Sequence, residues 1–416
     1  MRALLAAAYL VTIAVGLWLR ALNLRHMKTH GSTVPPGFEG AVEAETLRKS
    51  VSYTIDQSRL GVAETLFDAA LLIAFLFGGI LAAYDRWIGP LSGSFVGAGV
   101  LFFVILTVAQ TLLEIPFGIY GTFRLESRYG FNTTGPGLWL ADLAKTTILA
   151  ALLTSLLVAG AFTLVAWSPR YWWLWVWLLF AAVSIVLIFL SPVLIEPLFH
   201  RFEPVTEPGL EEEIRALARR AGLTVSRVMQ VDASRRSRHS NAYFTGIGRV
   251  KRIVLYDTLI AQMSHREVLA VLAHEIGHWK RGHIRRRLIL TEAGALAGAW
   301  LAWMAAGWDG LPLLVGLPTA SFAARLVIVG FLASLATFPL TPLSSWLSRR
   351  HEREADRYAC ELTGDPEALA AALVKLSTEN LSNLHPHPLY AAVYYSHPPV
   401  VERVRHLREM GMALKS

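Results

Sequence analysis

Residues 172–195 read Trp-Trp-Leu-Trp-Val-Trp-Leu-Leu-Phe-Ala-Ala-Val-Ser-Ile-Val-Leu-Ile-Phe-Leu-Ser-Pro-Val-Leu-Ile, and none of these side chains is charged. A helix that crosses a bilayer needs about 20 consecutive apolar residues. Six further stretches meet the same test: roughly 3–22, 63–84, 96–115, 146–167, 288–307 and 319–345. The first of them continues through Leu10 to Leu19 without a small-x-small cleavage site, so it reads as a retained span rather than a signal peptide. The expected fold is mainly α: a polytopic membrane protein of about seven transmembrane helices enclosing a water-filled chamber.

Composition agrees with the spans. The 416 residues are 54% hydrophobic and only 17% charged, with a mean hydropathy of +0.43. Soluble chains carry about a quarter charged residues, so the apolar excess must face lipid. Thirteen Trp and nineteen Phe supply interfacial anchors. The single cysteine, Cys360, excludes an internal disulfide and a cysteine-based metal site, and reads as a small buried hydrophobe.

Charge placement sets the expected sidedness. Seven crossings put the N-terminus and the 85–95, 168–171 and 308–318 loops on one side, where the basic residues are Arg2, Arg86 and Arg170. The other side takes most remaining Lys and Arg, including the 199–287 loop and the tail, and the positive-inside rule makes it the cytoplasm. The pI near 9.7 is thus a topology signal with anionic lipid as the neighbour, and no nucleic-acid partner is expected. Asp68, Glu114, Glu292 and Arg325 lie within apolar segments; lining a cavity and pairing near span ends are both open readings.

The chain divides into membrane spans at 1–198, a cytoplasmic loop at 199–287, two last spans at 288–346 and a cytoplasmic C-terminal region at 347–416. Within the loop, Glu203 to Leu223 reads as an amphipathic helix, with Glu211-Glu212-Glu213 early and Arg215, Arg219 and Arg220 late. Val225 to Val231 alternates. Asn241-Ala242-Tyr243-Phe244 and Arg252-Ile253-Val254-Leu255-Tyr256, joined by Gly246-Ile247-Gly248-Arg249, predict a small β-hairpin.

Ser264 to Arg287 reads as a helix, with Ser264 and Glu267 in the capping-box pattern. On it, His274-Glu275-Ile276-Gly277-His278 places two imidazoles at i and i+4 on one face, where one zinc ion bridges them. Glu275 is then the base that takes a proton from zinc-bound water. A pair of satisfied core histidines is the other reading of five residues alone. A catalytic zinc takes a third protein ligand, and candidates lie in Ser348-Arg349-Arg350-His351-Glu352-Arg353-Glu354-Ala355-Asp356. Glu352 and Asp356 share a face, so one carboxylate binds metal while the other orients a ligand histidine. Glu354 lies on a different face. A solvated run of mixed charge is the bland alternative.

These residues resemble the type I CAAX prenyl endopeptidase family, membrane zinc proteases that process farnesylated a-factor and prelamin A. The resemblance also runs through Leu125-Glu126, Tyr129-Gly130-Phe131-Asn132, Ile195 to Phe199, Ser237 to Phe244, Lys251 to Leu259, Asn380 to Pro386, and Tyr395-Ser396-His397-Pro398-Pro399 with Glu402-Arg403. It implies that His274, His278 and Glu352 bind Zn2+, that Glu275 is the general base and that Asp356 orients His274. It further implies that His397 steadies the oxyanion, that Arg403 holds Glu352 or assists that oxyanion, and that Asn241 and Ala242 lie on an edge strand pairing with substrate. The segment from His26 to Glu43 matches little of the family, which leaves substrate entry open.

Three functions follow. The first is an endopeptidase cutting peptide or protein substrates near a prenylated C-terminus, working as a monomer among membrane lipids. The second keeps the enzyme and changes its substrate to misfolded membrane proteins. The third is a transporter or receptor with a structural zinc, against which an intact Glu275 speaks.

Overall fold

A computed structural model describes residues 1–245 and 250–413. Among these, seven helices are long and apolar enough to cross a membrane: Arg2–His30, Ala44–Phe77, Phe95–Tyr129, Pro136–Trp167, Trp172–Phe199, His283–Ala306 and Phe322–Thr363. The helices overrun the apolar stretches because backbone hydrogen bonding continues past the lipid-compatible band. The second departs most from the expected 63–84. It starts at Ala44 and ends at Phe77, where Gly78 and Gly79 interrupt it, and Gly79 takes φ +88°, a left-handed value suited to glycine. The apolar run continues beyond the break as a separate helix, Ile80–Ile88. The last span passes through a 3-10 turn at Phe338–Leu340, where Pro339 cannot donate to the helical ladder.

The two ends of the bundle differ. At one, Leu81 and Ile88 pack with Leu311, Val315 and Leu317, and Asp85 accepts from the Ser321 backbone N–H at 2.9 Å. At the other end sits a large apolar core built from the loop, the tail and residues just after the first span. The segment from His26 to Glu43 docks on that core. Phe38 is fully buried, Arg408 Nη1 donates to the Gly37 carbonyl at 2.8 Å, and His385 Nε2 meets the Thr33 carbonyl at 2.7 Å. It straps the first span to the tail.

The loop carries a four-stranded sheet, not an isolated hairpin. Its strands are β1 (Phe202–Pro204), β2 (Thr224–Val231), β3 (Ala242–Thr245) and β4 (Val250–Tyr256), in the order β1-β2-β4-β3. β2 runs parallel to β4, and the outer pairs are antiparallel. The expected hairpin is thus one edge of the sheet, and its turn at 246–249 lies outside the described residues. The helix expected over Glu203 to Leu223 is shorter, Leu210–Arg220, because Glu203 and Pro204 pair in β1 and Gly209, at φ +77°, starts the helix. Its first turn is acidic and its last basic, as the macrodipole favours.

Of the polar residues inside spans, Arg325 is structural: its Nη1 donates to the carbonyls of Ala306 at 2.9 Å and Trp308 at 3.1 Å, closing the end of the preceding span. Asp68 and Glu114 are exposed, and both Glu292 carboxylate oxygens are buried without a hydrogen-bond partner among the described residues. Cys360 is buried, as expected.

Candidate active site and metal centre

The helix bearing the two histidines is His265–Lys280, opened by the expected capping box: Ser264 N–H donates to Glu267 Oε2 at 2.7 Å. Lys375 adds an ion pair to the same carboxylate at 2.8 Å. Val268, Leu272, Ala273 and Ile276 bury one side in the extramembrane core. The sequence reading carried this helix to Arg287. It ends at Lys280, because Gly282 at φ +71° breaks the chain and starts the sixth span at His283.

The second element is the helix Thr341–Thr363, whose buried positions include Glu352, Ala355, Asp356 and Ala359, one helical stripe. The two helices touch at Gly277. A Cβ there would lie 3.0 Å from both the Cα and the carbonyl oxygen of Ala355. Only a glycine permits that approach, and it brings the Glu352 carboxylate beneath the imidazoles.

The resulting triangle is tight. His274 Nε2 and His278 Nε2 are 3.2 Å apart, Glu352 Oε2 is 3.3 Å from His274 Nε2, and Glu352 Oε1 is 3.2 Å from His278 Nε2. Ligands held about 2.0–2.1 Å from a tetrahedral zinc stand about 3.3 Å from one another. With one Glu352 oxygen turned to each imidazole, and one donor atom from each residue within 4.8 Å of the others, the donor set fits one metal ion of that size. Chemistry agrees, since Glu352 Oε2 is buried and has no hydrogen-bond partner among the described residues.

Both rings are oriented from behind. His274 Nδ1–H points to Asp356 Oδ1 at 2.8 Å, which leaves the lone pair on Nε2 facing the triangle. Arg403 grips Asp356 with a bidentate fork, Nε to Oδ2 at 2.9 Å and Nη2 to Oδ1 at 2.6 Å. Its Nη1 lies farther from Glu352 Oε2, at 3.6 Å. The principal partner of Arg403 is thus Asp356, a contact the sequence reading did not foresee. Burial would push His274 down, but Asp356 and Glu352 outweigh it and raise the ring to about 9. A bound cation would displace that proton. Glu275, half-buried next to them, is pushed up by burial.

His278 has a relay that the sequence reading missed. Its Nδ1 is 3.1 Å from His283 Nδ1, and His283 Nε2 is 3.1 Å from Glu354 Oε2. With His283 Nε2–H donating to Glu354, its Nδ1 accepts from His278 Nδ1–H, and His278 Nε2 keeps its lone pair for the triangle. His283 is buried and stacked on His351 at 4.1 Å. On one continuous helix, His278 and His283 would face apart. The Gly282 break folds them together, and that glycine was the signal available in the sequence. Partners of this kind typically change metal affinity about 10–100-fold. His283→Ala should therefore lose bound metal to a chelator 10–100 times more readily than wild type, measured by competition with a coloured chelator.

Of the other sequence candidates, His397 lies at the triangle's open side. Its Nε2 is 3.4 Å from Glu352 Oε1, and its Nδ1 is 3.0 Å from the Ser396 hydroxyl. Ala242 lies on β3, the edge strand of the sheet. Asn241 immediately precedes it, its carbonyl accepting from Tyr256 N–H at 3.0 Å.

A membrane bundle whose extramembrane end holds an HEIGH helix, a third donor from the last span's extension and a half-buried base defines a class, the integral membrane metallopeptidases. Residues 23–201 match the family described as CAAX prenyl protease N-terminal, five membrane helices, and residues 204–411 match peptidase family M48. The chain belongs to peptidase family M48. It is 34% identical to the CAAX prenyl protease 1 homolog of Arabidopsis thaliana over 90% of each chain. It is 32% identical to CAAX prenyl protease 1 of Saccharomyces cerevisiae over 91% of this chain and 89% of that one. The crystal structure of S. mikatae Ste24p superposes with a TM-score of 0.91 at 27% identity, covering 98% of both chains. The protein is thus a membrane metalloprotease of the chamber-enclosing fold, acting on a peptide or protein substrate and using a metal cofactor. The transporter or receptor reading is set aside.

Proposed function

We propose that the chain is a zinc endopeptidase that cuts prenylated peptides near their C-terminus, with His274, His278 and Glu352 holding the ion on the cytoplasmic side. The observation that carries this reading is the triangle of donors at 3.2–3.3 Å with Glu275 beside it. The excess of Lys and Arg at that end of the bundle supports the sidedness, and relatives named CAAX prenyl protease support the substrate class.

Bound there, zinc supplies Lewis-acid activation of water and of the scissile carbonyl. Glu275 takes the proton from the attacking water and passes it to the leaving amine. Asp356, held by Arg403, fixes His274, and the His283–Glu354 relay fixes His278. With the Ser396 hydroxyl donating to Nδ1, the neutral His397 ring carries its proton on Nε2, positioned to donate to the carbonyl oxygen as charge develops. Loss of one such donor costs about 10²–10³ in rate. His397→Phe should show that loss with unchanged metal content, read by steady-state cleavage beside elemental analysis. The free edge of β3 at Asn241 and Ala242 receives the extended substrate by backbone pairing.

The test is cleavage of a farnesylated CAAX peptide beside its unprenylated twin, with Glu275→Gln as the control for contaminating protease. Preference for the farnesylated peptide supports the reading. Equal cleavage of both makes the lipid incidental and favours quality control of membrane proteins.

A further inference from the structure

Beside the triangle opens a cavity of about 760 Å³, within the ~300–1,000 Å³ range of sites that enclose small ligands. His397 lines it at the metal side, and its walls are rich in hydroxyls and amides, among them Asn23, Gln57 and Asn380. None of its described lining residues is Asp or Glu. Its permanent cation is Arg20, from the first span. Arg20 makes no ion pair or hydrogen bond among the described residues, and its Nη1 is sealed from solvent without a partner. The guanidinium is admitted between the first two spans by Gly61, where a Cβ would come within 2.9 Å of Nη1. A charged side chain inside a span carries a large desolvation penalty unless a partner meets it, and the described residues supply none. On its other side Arg20, with Tyr390 and Tyr394, borders a more apolar pocket of about 400 Å³. A planar anion there would be partly desolvated, which strengthens its pairing with a guanidinium fork.

Resting on the peptidase reading above, we propose that Arg20 binds the free α-carboxylate of the substrate, so that the enzyme measures its cut from a C-terminus. A chain end entering the cavity places its carboxylate on Arg20 and a preceding peptide bond at the triangle beside His397.

The experiment pairs a farnesylated peptide ending in a free carboxylate with the same peptide ending in an amide. Wild-type protein should favour the acid roughly 10–100-fold in kcat/KM, the size of a lost charged hydrogen bond. Arg20→Gln should bring that ratio close to one, and Arg20→Lys, which keeps charge but loses the fork, should fall between. The Lys variant decides the matter if the Gln variant does not fold. Binding of the same two peptides to the Glu275→Gln protein gives a readout independent of turnover. If neither peptide is cut yet the acid binds better in an Arg20-dependent way, the peptidase reading fails and the carboxylate site stands. The proposal is overturned if wild type treats acid and amide alike in binding and cleavage, or if the Arg20 variants keep the wild-type ratio. An Arg20 effect confined to vesicles with anionic lipid, and equal for both peptides, would assign the guanidinium to a headgroup and overturn it too.

Discussion

Glu275→Gln should retain its metal and lose about 10²–10⁴ in rate, the usual worth of a positioned general base. The amide matches the carboxylate in shape and hydrogen-bonding reach but cannot take a proton from water. Nothing in the triangle depends on Glu275, since the three donors come from His274, His278 and Glu352. Burial raises the Glu275 pKa, which makes the group a better proton acceptor once ionised. Single-turnover cleavage and elemental analysis on one preparation check both halves. A variant that cuts at the wild-type rate would remove Glu275 from the chemistry. A variant that has lost its metal would make it a ligand or a structural support instead.

Gly277→Val should remove activity by the opposite route, through loss of the metal. The added side chain begins with a Cβ 3.0 Å from the Ala355 backbone, and backbone cannot rotate away as a side chain can. The helices must part, and overpacking of this kind costs roughly 1–3 kcal/mol of stability. Glu352 precedes Ala355 by three residues on the same buried stripe, so parting the helices draws its carboxylate away from the imidazoles. The expected protein is folded, less stable and metal-poor. Thermal unfolding together with metal content decides the matter, and a Val variant with full metal occupancy would show that the close approach does not set the site. The two variants thus lose turnover for different reasons, distinguishable by metal content alone.

Much of this site was legible in sequence because its spacing is local. The i, i+4 pairs His274/His278 and Glu352/Asp356 need only a helix to align them, and the helix start at Ser264 is written in its capping box. What was not legible depends on breaks and on long-range approach. The Gly282 turn ends one helix and folds His283 against His278, whereas a continuous periodic pattern extended that helix to Arg287. The fork of Arg403 on Asp356 joins residues 47 apart on two helices, and no local pattern announces it. The spans were found by apolar runs, but their ends were not: hydropathy is blind to Gly78-Gly79, which interrupts the backbone without altering the apolar character of the stretch. The hairpin was read correctly as two paired strands. Its place in a four-stranded sheet was missed because β2 pairs in parallel with β4 across an intervening strand, and parallel partners need a crossover that sequence adjacency does not reveal. The strap at Phe38 matched little of the family by eye, although the family match from 23 to 201 spans it, and its burial comes from contacts with the distant tail.

The central claim is that His274, His278 and Glu352 hold the zinc by which this chain cuts peptides. Its most direct measurement is zinc content against cleavage rate, in one purified preparation stripped by chelator and reloaded stepwise. The account predicts that rate rises in proportion to bound zinc and saturates at one ion per chain. Cleavage that persists in fully stripped protein, or a well-folded chain that binds no zinc, would contradict it.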